Sequence, residues 1–239
     1  MARAGLYFRP EEASMGYVSV SLLMTAMVIV GFWPTYFGPV LRGDGERPWV
    51  FHLHGAVFIG WMGLLVTQVA LVSSGRTRLH RTLGTLGIGY GAMVLAIGLL
   101  ITFYAPAMHM ASGAWDINAA ASFLLLPLAD MVLFAGFFGA AIAYRRRPEV
   151  HKRLMLLATI ALMFAAVSRR IPYDAPWAFL LVWLAPLGAA MAYDWRTRRG
   201  VHPTYLYGAA ILLLAFCRVY VRESDAWLTI GRTLLAPFA

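Results

Sequence analysis

The stretch 51-FHLHGAVFIGWMGLLVTQ-68 contains no charged side chain, yet it opens on two histidines one residue apart and closes on a glutamine. Taken with its neighbours it forms an apolar run over residues 50–73. About 20 such residues suffice for an α-helix to cross a hydrocarbon core of about 30 Å. Six more runs of that kind occur, at roughly 15–38, 82–106, 119–144, 150–168, 175–194 and 203–221. The sequence therefore predicts an all-α integral membrane bundle of about seven transmembrane helices. The connections are short, so residues 1–239 read as one transmembrane domain, with 224–238 left over as an interfacial amphipathic helix capped by Ser224 and facing lipid through Trp227, Ile230 and Leu234.

Composition agrees. The 239 residues are 61% hydrophobic and 13% charged, against about a quarter charged in soluble domains. The net charge of +9 is unevenly placed. Arg3, Arg9, Arg76, Arg78, Arg81, Arg145, Arg146, Arg147, Lys152, Arg153, Arg196, Arg198 and Arg199 fall on the side of the N-terminus, which is 13 of the 20 basic residues. Lysine and arginine favour the cytoplasmic side, so a cytoplasmic N-terminus is expected, in a bacterial inner membrane. The basic balance then serves topology and anionic lipid, and a nucleic-acid partner is not expected. Residues 1–38 end in 32-FWPTYF-37, an aromatic interface belt with no small-residue cleavage site, and read as a retained first helix.

Several chemistries are excluded. Cys217 is the only cysteine, so no internal disulfide or thiolate cluster can form. The sole lysine, Lys152, stands at a helix start and not inside a span, as a retinal Schiff base requires. Six scattered histidines are too sparse for the boxes of membrane di-iron hydroxylases, and no nucleophile elbow is present. The run 87-GIGYG-91 follows no strand and reads as small residues that let helices approach, with Gly87 and Gly91 four apart.

The histidines divide by side. His52, His54 and His109 are expected near the outer face, and His80, His151 and His202 near the inner one, with His202 capping the seventh helix. Residues two apart on a helix point about 200° away from each other, so only one of His52 and His54 faces inward. His54, Trp61 and Gln68 recur every seven residues and share a face. The expectation is that His54 is an inward ligand, Gln68 an inner polar contact, and His52 an interface group. Imidazole ligates haem iron, copper and zinc, which makes His54, His109, His80, His151 and His202 the candidate metal ligands. His54, His109, His80 and His151, with Arg81, Arg153 and Gln68, are the candidate cofactor-binding set.

Asp130, in 123-FLLLPLADMVLFAGFF-138, sits near the middle of the fourth helix. An ionisable group at that depth costs about 2.5–3.5 kcal/mol on insertion scales and normally has a partner. No lysine or arginine falls at its depth when residues are counted along each span. It is therefore expected to be protonated, or hydrogen-bonded to Gln68, a tyrosine such as Tyr90, or a cofactor, and its expected role is proton handling.

His52-Leu53-His54-Gly55, His80-Arg81, Asp130, 151-HKRLMLLAT-159 and His202-Pro203 together resemble an uncharacterised family of bacterial polytopic membrane proteins. The resemblance spans most of the chain after residue 50 and brings no established activity. Histidines near both faces are also loosely similar to the two-haem membrane cytochromes b, which implies haem ligands among His54, His109, His80 and His151. The leading expectation is a redox-type protein that binds haem b or a histidine-ligated copper, iron or zinc and passes electrons or protons to a quinone. The alternative is a cofactor-free accessory or assembly subunit of a larger membrane complex, such as a respiratory one. Transport is a third reading, weakened by the lack of an internal repeat.

Overall fold

A computed structural model describes residues 10–44 and 46–238, with side chains from residue 16 onward. Helices occupy nearly all of this chain, and no strand occurs among the described residues. Six helices are long and apolar enough to cross a membrane: α1 (Gly16–Arg42), α2 (Trp49–Ser73), α3 (Thr77–Ala111), α4 (Ile117–Ala143), α5 (Pro148–Ser168) and α7 (Pro203–Val221). Between the last two lies a bent pair, α6a (Pro176–Trp183) and α6b (Ala185–Arg198), meeting at 53°. Pro186, in the first turn of α6b, lacks the N–H that a straight continuation would use. The run at 175–194 is thus a bent pair of helices and not one straight helix. The amphipathic α8 (Asp225–Leu235) follows, with Ser224 Oγ accepting from Trp227 N–H as its cap.

Helix starts follow the prolines. Pro148 and Pro203 open α5 and α7, and Pro48 is the N-cap of α2. Other ends depart from expectation. α3 continues through Pro106 to Ala111, so its 35 residues extend beyond 82–106 at both ends and place His80 in its first turn and His109 in its last. In α1, Trp33–Phe37 form a π-helical turn beginning beside Pro34. Such turns re-aim side chains within a helix.

One buried cluster runs from Val20 and Met24 of α1 to Leu212 and Phe216 of α7, centred on Trp61, Phe134, Phe164 and Trp183. α4 lies along α5, α3 bridges α2 and α4, and α1 packs on α2 and α5. Gly91 is used differently from the expected backbone approach, since a Cβ there would collide with the Phe138 ring of α4. The tight backbone contact is instead at Gly31, where a Cβ would strike the Ala166 carbonyl of α5. A smaller cluster joins Ala120, Ala121 and Leu124 of α4 to Leu235 of α8. Trp227 turns toward that bundle and donates from Nε1 to Ala121 O (2.8 Å), while Ile230 and Leu234 stay exposed. Trp227 is therefore a docking residue and not a lipid-facing one.

Candidate functional site

The π-turn of α1 and the first turns of α2 border a cavity of about 380 Å³. Phe32, Phe51, Phe58 and Phe164 contribute aromatic walls, and Gly98 and Thr102 of α3 a small-residue side. Its size lies in the range of small-molecule sites, about 300–1,000 Å³. Its charged and titratable lining residues are Tyr36, Arg47, His54, Asp130 and Arg169. His54 and Trp61 line it, as their seven-residue spacing predicts, whereas His52 is exposed and its Nδ1 lies 3.0 Å from the Tyr36 hydroxyl.

His54 rests against Phe58, with ring centroids 4.2 Å apart, and its Nδ1 is buried without a hydrogen-bond partner. A buried imidazole nitrogen left unpaired carries a desolvation cost of about 1–3 kcal/mol. The nitrogen is thus available to a partner that enters the cavity.

Asp130 is 3% exposed and pairs with Arg218 Nη2. The expectation that no cation reaches its depth is corrected here. Depth counted in residues assumes that all helices begin at one level, but the first turns of α4 cover α8 and so start beyond the end of α7. Asp130 consequently meets the last turn of α7. Gln68 and Tyr90 are engaged elsewhere: Tyr90 donates to Val57 O (3.0 Å), and Gln68 lies against His80. The Arg218 guanidinium lies over Phe164, 4.1 Å from the ring centroid, and its Nε and Nη1 are buried without partners.

The other predicted site residues are dispersed. His109 stacks on Trp115 at 4.2 Å, outside the cavity lining. At the arginine-rich face Gln68, with its amide oriented to satisfy both ends, donates to His80 Nδ1 (2.6 Å) and accepts from Gly84 N–H (2.9 Å). His151 Nδ1 donates to Ala141 O (2.8 Å), and His202 Nδ1 accepts from Thr204 N–H (3.2 Å) as the cap of α7. Arg81 is exposed. No three histidine, cysteine, aspartate or glutamate side chains are grouped to hold a metal ion among the described residues.

Arg153 has a different assignment from the expected cofactor contact. It is fully buried, binds Asp194 through Nε (2.8 Å) and Nη2 (2.5 Å), and donates from Nη1 to Glu149 Oε2 (2.8 Å). Arg198 also reaches Glu149. This forked pair ties α5 to α6b. The sequence held one signal for it, an acid at the end of an apolar run on the same side as Arg153.

Compared with models of protein families, with curated proteins and with solved structures, the chain matches none.

Proposed function

We propose that this chain is a redox-type protein of the bacterial inner membrane, N-terminus cytoplasmic, whose working centre is the His54 cavity. The ligand is a flat conjugated redox molecule, a haem b or a quinone. The observation that carries this reading is the unpartnered Nδ1 of His54, buried in an aromatic cavity beside the Asp130–Arg218 pair. Neutral imidazole can ligate iron or hydrogen-bond a quinone carbonyl.

The cavity supports a narrower version of the haem expectation than a bis-histidine site. Its lining contains one imidazole, while Met62, Met131 and Met163 also border it. His54, with or without one of these methionines, would be the side chain to hold an iron there. Asp130, paired with Arg218 and lining the cavity, is the acid placed to exchange a proton with a ligand at this site. Lipid is the immediate partner; a quinone-using complex would be the redox one.

The experiment is an absorption spectrum of detergent-purified protein, oxidised and then dithionite-reduced, with metal analysis and solvent extraction of quinones from the same sample. A Soret band that sharpens on reduction, or stoichiometric quinone, supports the reading. Protein made with haem and metals available that yields no chromophore, metal or quinone would overturn it in favour of a cofactor-free accessory subunit.

A further inference from the structure

The charges around the cavity do not balance. Asp130 is neutralised by Arg218, which leaves Arg47 and Arg169 as lining cations with no carboxylate within ion-pair distance among the described residues. Arg47 belongs to the loop between α1 and α2, and Arg169 follows the last residue of α5. The two therefore approach the cavity from different elements. Arg169 is held in place: its Nη1 donates to Ala165 O and its guanidinium lies over the Phe32 ring, 4.3 Å from the centroid. Nε and Nη2 are left without a protein acceptor among the described residues. A planar guanidinium with free N–H groups, set beside an apolar wall, matches a carboxylate geometrically and electrostatically.

We propose that the ligand of the His54 cavity is an anionic amphiphile, its carboxylates held by Arg47 and Arg169 and its flat apolar body set among Phe32, Phe51 and Phe58. This rests on the reading of the cavity as a ligand site and decides between its two classes: a porphyrin with two carboxylate side chains meets two arginines, and a neutral quinone leaves both unmet. Arginine at a membrane boundary also snorkels to headgroups, so the test must separate recognition of the ligand's charge from anchoring.

Metal-free protoporphyrin IX provides the probe, because its binding does not depend on a bond between His54 and iron. Full-length protein in nanodiscs of zwitterionic lipid is titrated with the diacid and with its dimethyl ester, following porphyrin absorbance against empty nanodiscs. The diacid should bind at least about 10-fold more tightly than the ester, the worth of about 1.4 kcal/mol. Arg47→Gln and Arg169→Gln should each remove most of that preference, and Arg170→Gln, a neighbour outside the cavity lining, should leave it intact. Arg47 lies in a loop, so its variant keeps the test open if Arg169→Gln fails to fold. Equal binding of diacid and ester, or a preference unchanged in both variants, would overturn the inference. A short-chain quinone is titrated in parallel. If it binds while the diacid shows no preference, only this inference falls; if neither binds, the ligand-site reading falls as well.

Discussion

At the scale of single residues, the two histidines of 51-FHLH-54 separate cleanly. His52 meets Tyr36 at the surface and His54 enters the cavity with a nitrogen unpaired. His54→Ala should weaken ligand binding by about 2- to 12-fold, read from the bound chromophore or extracted quinone per protein, as expected for losing one neutral polar contact of about 0.5–1.5 kcal/mol. His52→Ala should cost much less, because His52 reaches the cavity only through its contact with Tyr36. Equal loss in both would remove the distinction between an interface histidine and a cavity histidine. The Asp130–Arg218 pair makes a second prediction. Truncating one partner of a buried pair leaves an uncompensated charge and costs about 3–5 kcal/mol, whereas replacing both by apolar groups is often near neutral. Asp130→Ala should therefore lower the melting temperature in detergent sharply, and Asp130→Leu combined with Arg218→Met should recover most of the loss. A double variant no better than the single one would mean that the pair does more than balance charge.

At the scale of elements, α1 is fixed against α5 by the backbone contact of Gly31 with Ala166. Val28 and Phe32 of the same helix border the cavity, so displacing α1 should disturb the site as well as the packing. Gly31→Leu should destabilise by about 1–3 kcal/mol, the usual cost of overpacking, and lower ligand occupancy in parallel; a stability loss with full occupancy would show that α1 does not shape the site. The spans themselves were legible because length and lack of charge are sufficient for a membrane helix. Their ends were less so. Pro106 suggests a helix end, yet α3 passes through it. The inward faces of His54 and Trp61 could be read from a seven-residue spacing, which depends on one helix only. Asp130–Arg218 could not, and Arg153–Asp194 left only the placement of an acid on the same side, because each pairing depends on how far two helices slide past one another. The stagger of α4 against α7, set by the docking of α8, carries no local sequence signal.

At the scale of the whole molecule, the two faces differ in charge and in contents. One holds Arg145, Arg146 and Arg147 and the Arg153–Asp194 clamp; the other holds the loop with Arg47, to which the cavity is adjacent. If the basic face is cytoplasmic, as the arginine bias implies, the cavity lies toward the outer leaflet and its ligand reaches it from outside the cytoplasm or along that leaflet. Because Cys217 is the only cysteine, a Cys217→Ser background allows single reporters at chosen loops. Asp44→Cys should react with a membrane-impermeant maleimide in intact spheroplasts, and Arg146→Cys only after lysis. The reverse pattern would place the cavity toward the cytoplasm, where the ligand would come from the inner leaflet and seven basic residues would outweigh 13 in setting the orientation. Labelling of both sites in intact cells would mean mixed insertion, and then the outward-facing fraction should match the fraction of protein whose ligand is accessible to an impermeant reductant.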